Sequence, residues 1–138
     1  MWHSRQLILH GGIVLLVGLL SGAGFGSAIG RGKSEATVRA WRVAHSGIVL
    51  GGVMLLALGP VMPHLRLGAA ALTALVWSFV ASSYAFAIAL PLGAHYGYRG
   101  LSGGPPFLNR VVYAGNIIGA AGSLVGTLLL VWGAYAAL

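Results

Sequence analysis

The sequence contains no cysteine and only one acidic residue, Glu35. The lack of cysteine excludes disulfides, thiolate metal sites, iron–sulfur clusters and cysteine nucleophiles. A single carboxylate cannot provide the pair of acids that glycoside hydrolases use, and the lack of aspartate excludes a Ser-His-Asp triad. Any chemistry must therefore come from histidine, tyrosine, asparagine, serine or a cofactor.

Charge of either sign is scarce. Only 7% of the 138 residues are charged and 58% are hydrophobic, with a mean hydropathy of +0.91, whereas a water-soluble domain has roughly 25% charged residues. The net charge of +7 comes from eight basic residues at the borders of apolar segments, where lysine and arginine anchor helices at lipid headgroups. The partner of these basic residues is therefore predicted to be the lipid bilayer, with no role for nucleic acid.

Four long segments of 23 to 32 residues lie between or after the arginines without any formal charge. Each exceeds the roughly 20 residues that a helix needs to cross the hydrocarbon core. We therefore expect an all-α membrane protein that forms a four-transmembrane-helix bundle, a single integral domain over residues 1–138. The spans are predicted near 6–29, 41–60, 67–92 and 110–137. Pro60 and Pro63 predict that the second helix stops in a tight turn.

Most of the basic residues follow the first and third spans, so the positive-inside rule places these two loops in the cytoplasm. We expect the protein in the inner membrane of a bacterium. Glycines recur every fourth residue on the first span, and similar small-residue pairs occur on the second and fourth (Gly18, Gly22, Gly26, Gly30; Gly47, Gly51; Gly115, Gly119; Gly122, Gly126). Such flat faces serve packing within one chain, and their number favours an oligomer.

His45 is the histidine that lies well inside an apolar span, in the segment 41-WRVAHSGIVLGG-52. Two interpretations fit it. The imidazole forms hydrogen bonds at headgroup depth, or it ligates a metal held mainly by its own macrocycle, for which haem fits better than zinc. His10 on the first span would complete a six-coordinate, electron-transferring haem if it also ligates. If it does not, the iron keeps an open position and can act as a Lewis acid.

Tyr84 and Asn116 are the other polar residues that we expect to act in catalysis. An amide in lipid needs hydrogen-bond partners, and a phenol can donate to a developing oxyanion. The serines and threonines of the third and fourth spans are expected to bond back to carbonyl groups of their own helix.

The segment 41-WRVAHSGIVLGG-52, together with 7-LILHGG-12 and 99-RGLSGG-104, resembles the styrene oxide isomerase family. The resemblance implies a homotrimer that holds ferric haem b between protomers, with His45 as the axial ligand. We expect Trp41, Arg42 and Gly52 to bind the cofactor beside it. In that family the iron takes the oxygen of a small hydrophobic aryl epoxide, the ring opens to a benzylic cation, and a 1,2-hydride shift gives an aldehyde. Exclusion of water matters, because water would trap the cation as a diol.

The sequence departs from this family at two positions. The family has an asparagine six residues after the ligand histidine, where this chain has Gly51, and its catalytic tyrosine aligns with Leu90 when no gap is allowed. A shift of about two turns brings Tyr84 to that place instead.

Three other functions remain open. The segments 5-RQLILHGGIVLLVGLLSG-22 and 63-PHLRLG-68 resemble hydroxylaminobenzene mutases, which rearrange an arylhydroxylamine to an aminophenol. That family has a glutamate two residues after the histidine, where this chain has Gly47, so the epoxide isomerase is favoured. The chain could also be an electron-transferring haem protein, or a packing subunit without a cofactor.

Overall fold

The computed structural model describes every residue from Met1 to Leu138 and contains helices but no strands. Four long helices, α1 (Trp2–Gly30), α2 (Glu35–Val61), α3 (Ala69–Tyr96) and α4 (Phe107–Tyr135), follow one another, with a short 3-10 helix (Met62–His64) after α2. Each long helix is long and apolar enough to cross a membrane. The prediction of an all-α protein with four membrane-spanning helices is confirmed.

The helices extend beyond most of the predicted spans. The clearest case is α2, which begins at Glu35 rather than near residue 41 because Ser34 caps it: the backbone N–H of Thr37 donates to Ser34 Oγ at 3.3 Å. Serine is a favoured N-cap because its oxygen satisfies a backbone donor that has no partner in the helix. The cap at Ser34, rather than the basic residues that border the apolar segment, therefore marks where α2 begins.

The second helix ends within one residue of its predicted end, between Pro60 and Pro63, but Pro60 does not itself stop it. α2 continues through Pro60 to Val61, and Pro63 lies within the 3-10 helix that follows. A proline removes one N–H donor from a helix and crowds the preceding turn. Pro60 lies one residue before the end of α2, so the missing hydrogen bond affects only the last turn of the helix. α3 likewise passes Pro91 and ends where Gly97 adopts a left-handed conformation, with φ of +75°.

α3 lies at the centre of the bundle. It packs against α1, α2 and α4, whereas α4 packs mainly on α3 alone. The most deeply buried side chains come from the first three helices (Leu7, Val14, Ile48, Leu55, Leu75, Val76, Phe79). Large apolar side chains remain exposed on every helix, as expected of a surface that faces lipid.

Glycines make two of these helix contacts close. Between α1 and α2, a Cβ at Gly18 would lie 2.8 Å from a methyl carbon of Val49, and one at Gly52 would lie 2.7 Å from Leu15 Cα. The glycines of α4 pack on α3 in the same way (Gly115, Gly119, Gly122, Gly126). A Cβ at Gly26 or Gly30 would meet no other part of the chain within 4 Å. Only part of the predicted glycine ladder on α1 therefore packs within one chain.

Candidate functional site

His45 lies on the face of α2 that packs against α1. Its Nδ1 donates a hydrogen bond to the carbonyl oxygen of Gly18 at 2.8 Å, and the residue is half-buried. A carbonyl oxygen can only accept, so in the neutral imidazole the hydrogen is on Nδ1 and the lone pair is on Nε2. Nε2 has no partner within the chain and is not fully buried, since no fully buried polar side-chain atom lacks one.

The surroundings of His45 are shaped by small residues and one aromatic ring of α1. A Cβ at Gly22 would lie 3.2 Å from both Nδ1 and Cε1 of the imidazole, so the ring fills the space that a larger residue would need. Phe25 lies nearly parallel to the imidazole, with an angle of 18° between the planes and ring centroids 6.4 Å apart. Gly18, Gly22 and Phe25 therefore fix the position of the imidazole from the α1 side.

The predicted cofactor-binding residues occupy different positions around His45. The Trp41 ring packs on Gly24, and the Arg42 guanidinium lies 5.6 Å above the centroid of Phe25. Both therefore border the surface on which His45 lies. Gly52 is buried against the α1 backbone at Leu15, which gives it a role in helix packing. Its predicted contact with a cofactor stays a prediction.

The donor set at His45 fits a haem ligand. A metal-bound histidine almost always donates its other ring N–H to a carbonyl or carboxylate, which fixes the tautomer and the ring orientation. The bond from Nδ1 to the Gly18 carbonyl has this form and leaves Nε2 available as an accessible ligand. No cluster of three or more His, Cys, Asp or Glu side chains is present, so the protein would donate one imidazole here and the macrocycle would supply the other ligands.

A groove runs along the opposite side of α2. It lies between α2 and α4, which do not pack closely on each other, and α3 forms its floor. Two cavities lie along it, of about 790 Å³ and about 190 Å³. Gly47 of the smaller cavity faces Leu90 of the larger, with a Cβ at Gly47 placed 3.5 Å from Leu90 Cδ1. We call this feature the α2–α4 groove.

The larger cavity has apolar walls and contains Asn116. Val43, Leu90 and Val112 are among its apolar lining, while Arg39 and Arg99 contribute positive charge. Asn116 Nδ2 donates long hydrogen bonds of 3.4 Å to the carbonyl oxygens of Arg99 and Gly100.

Glycine is required in that loop. Gly100 has a φ of +57°, and a Cβ there would lie 2.7 Å from Asn116 Nδ2. This explains the glycine of the segment 99-RGLSGG-104, because a larger residue would be strained and would push Asn116 away.

The smaller cavity contains Gly51, one of the two positions at which the sequence departs from the family that it resembles. Gly51, Gly47 and Ser83 line it together with apolar side chains. Ser82 also lines this cavity. It was expected to bond back to its own helix, but it donates instead to the carbonyl oxygen of Gly119 on α4 at 2.6 Å. Thr73 follows the expectation and donates to Ala69 at 2.9 Å.

Tyr84 lies on the other side of α3, where it faces α1. A hydrogen bond of 3.0 Å joins its Oη to His10 Nδ1, and Tyr84 lines neither cavity. Tyr84 is two positions after Ser82, which corresponds to about 200° around a helix. Within one chain the structure therefore does not bring Tyr84, Asn116 and His45 together.

His10 contacts α3 rather than the surroundings of His45. Besides its bond to Tyr84, its ring packs against Trp77 with the centroids 5.6 Å apart. Gly18, the partner of His45, follows eight residues later on α1, which is about 12 Å along the helix axis.

Several members of these sites could not be identified from the sequence. The Gly18 carbonyl, Phe25 and Ser83 were not predicted to act there. The glycine spacing on α1 was the signal that pointed to Gly18 and Gly22, whereas Phe25 and Ser83 had no distinguishing pattern.

The family model described as styrene oxide isomerase matches residues 3–135, nearly the whole chain. No curated protein gives a significant match.

Proposed function

Because this chain belongs to the styrene oxide isomerase family, we propose that it converts a small aryl epoxide into an aryl acetaldehyde, using ferric haem b held by His45. The observation that carries the proposal is the hydrogen bond from His45 Nδ1 to the Gly18 carbonyl, which leaves Nε2 free to bind the metal. When bound, haem would supply a Lewis acid for the epoxide oxygen. The family match supports this rearrangement over that of an arylhydroxylamine.

The position of His45 suggests that two copies of the chain build each site. His45 and Val43 are two residues apart on α2, so they lie about 200° apart around the helix. The imidazole therefore lies on the α1 side, whereas the α2–α4 groove opens on the opposite side. A site that uses both requires the His45 face of one copy to meet the groove of the next. A contact between two different surfaces gives a ring when the rotation from one copy to the next closes on itself, and a homotrimer is such a ring.

The groove supplies the environment that this reaction needs. Opening of the epoxide breaks the benzylic C–O bond, and a hydride then moves from the terminal carbon to the benzylic carbon, so no atom or electron is gained or lost. The apolar walls of the groove (Val43, Leu90, Val112) would limit the access of water, which would otherwise trap the cation as a diol. Asn116 Nδ2 would orient the substrate oxygen, and its long bonds to the loop, of 3.4 Å, support this role because they are easily exchanged for a bond to substrate.

The alternative of an electron-transferring protein requires His10 as a second ligand. Its bond to Tyr84 and its contact with Trp77 direct it toward α3. We therefore propose that His10 does not ligate, and that the position across the metal from His45 is left for substrate.

The test combines an absorption spectrum with turnover. Purified protein should show a Soret band and should convert styrene oxide to phenylacetaldehyde without a reductant. His45→Ala should lose both, whereas His95→Ala, at an exposed end of α3, should keep both. Colourless wild-type protein, or full activity in His45→Ala, would contradict the proposal.

A further inference from the structure

The smaller cavity of the α2–α4 groove has the size of an aromatic ring. Its volume is about 190 Å³, and an engineered cavity of about 150 Å³ in another protein binds benzene. Five of its lining residues are apolar side chains (Val14, Ile48, Leu50, Met54, Phe86). Such a lining favours a flat apolar ligand that enters from the lipid.

The space in this cavity depends on Gly51. A Cβ at Gly51 would meet only Ser83 Oγ, at 3.8 Å, which is an ordinary van der Waals contact. A longer side chain at this position would extend toward Ser83 and fill the cavity. Gly51 therefore creates room that a larger residue would remove.

One polar group in the cavity has no partner. Ser83 is only 6% exposed, and its hydroxyl makes no hydrogen bond within the chain. Because no fully buried polar side-chain atom lacks a partner, this hydroxyl is open to the cavity that Ser83 lines. Its neighbour Ser82 is fully engaged, because it donates to the Gly119 carbonyl and pairs with Ser123 Oγ at 2.7 Å. A hydroxyl that is open to an apolar cavity and has no partner within the chain is available as both donor and acceptor, so Ser83 is placed to bond to a ligand.

We propose that this cavity binds the aromatic ring of the substrate, and that the Ser83 hydroxyl bonds to an oxygen substituent on that ring. Ser83 would then determine specificity, favouring aryl epoxides with a hydroxyl or ether group on the ring. The reference to an epoxide rests on the proposed function, whereas the binding of an oxygen-substituted ring can be measured without turnover.

The experiment measures the binding of phenol and of toluene, which have similar shapes, to purified protein in nanodiscs by calorimetry. Ser83→Ala should weaken phenol binding about fivefold, the range expected for one hydrogen bond, and should leave toluene binding unchanged. Ser46→Ala is the matched control, because Ser46 is exposed and donates to the Arg42 carbonyl of its own helix. Equal effects of Ser83→Ala on both ligands would refute the role of Ser83.

Filling the cavity tests the position of the ring. Gly51→Leu should abolish the binding of both ligands, whereas Gly51→Ala should weaken it less; Gly47→Leu provides a second filled variant if Gly51→Leu does not fold. Unchanged toluene binding in a folded, filled variant would overturn the proposal. Ring binding with the expected Ser83 effect, but without aldehyde from styrene oxide, would instead contradict the proposed function alone.

Discussion

His45 on α2 donates from Nδ1 to the carbonyl oxygen of Gly18 on α1 at 2.8 Å, so the backbone of one membrane helix sets the tautomer of a histidine on another. The close approach depends on glycine: a Cβ at Gly18 would collide with Val49, and one at Gly22 would press on the imidazole. The small-residue spacing of α1 and the histidine of α2 therefore belong to one local structure.

Gly22→Ala should disturb the haem site without breaking the bundle. The new methyl group would lie 3.2 Å from the imidazole atoms Nδ1 and Cε1, so the ring must shift and its bond to Gly18 must weaken. We expect a displaced Soret band and a haem affinity lowered by about 10-fold or more, as for other changes that misorient a metal ligand.

The matched control is Gly26→Ala, one turn further along α1, where a Cβ meets nothing within 4 Å. Its spectrum and haem content should equal those of the wild type. Identical behaviour of the two variants would show that contact with Gly22 does not position His45.

Asn116→Ala should lower kcat/KM for styrene oxide by about 100-fold, the effect of removing one donor to a developing negative charge. Asn116 also bonds to the loop at Arg99 and Gly100, so a second variant is needed to distinguish a catalytic role from a purely structural one. Asn109→Ala serves this purpose, since Asn109 Nδ2 donates to Ser102 and Gly104 of the same loop at 3.0 Å. A similar loss of activity in both variants would indicate that Asn116 only holds the loop.

Tyr84→Phe should affect stability more than catalysis. The variant loses the hydrogen bond to His10, and such bonds between membrane helices are worth about 0.6 kcal/mol on average. We expect a slightly lower free energy of unfolding in mixed micelles, with kcat/KM within about twofold of wild type. His10→Phe should give a similar loss of stability, and the double variant should lose less than the sum. A large fall in kcat for Tyr84→Phe would restore the catalytic role that the sequence predicted.

The sequence predicted the helices well because uncharged length and hydropathy decide whether a segment crosses lipid. It was wrong at Pro60, where position within the last turn decides the effect of a proline. It singled out His45 because a histidine inside a span is unusual. Where Tyr84 and Asn116 lie in the bundle could not be predicted from the sequence. The position of Tyr84 depends on which face of α3 meets α1, and that of Asn116 depends on the path of the loop before α4.

Ser83 was missed for a similar physical reason. A serine in a membrane helix usually bonds to its own backbone, and no pattern in the sequence distinguishes Ser83 from Ser82 beside it. Only the packing of α4 shows that Ser82 is engaged with Gly119 whereas Ser83 borders a cavity.

Mixing two inactive variants should restore activity if each site combines two copies of the chain. His45→Ala removes the ligand but keeps the groove, whereas Val43→Trp fills the larger cavity but keeps His45. In a ring assembled at random from equal amounts of both, about a quarter of the contacts would join an intact His45 face to an intact groove. Co-expressed variants should therefore show about a quarter of wild-type activity, although each alone is inactive.

Two further mixtures make this result specific. Wild type mixed with either variant should retain about half of its activity. Each variant lacks only one of the two surfaces, so about half of the contacts in a random ring still join an intact His45 face to an intact groove. A chain carrying both substitutions, mixed with His45→Ala, should show none, since no intact His45 remains. Absence of recovery in the first mixture, with mixed assembly confirmed by tagged subunits, would place the ligand and the groove in the same copy and contradict the shared site.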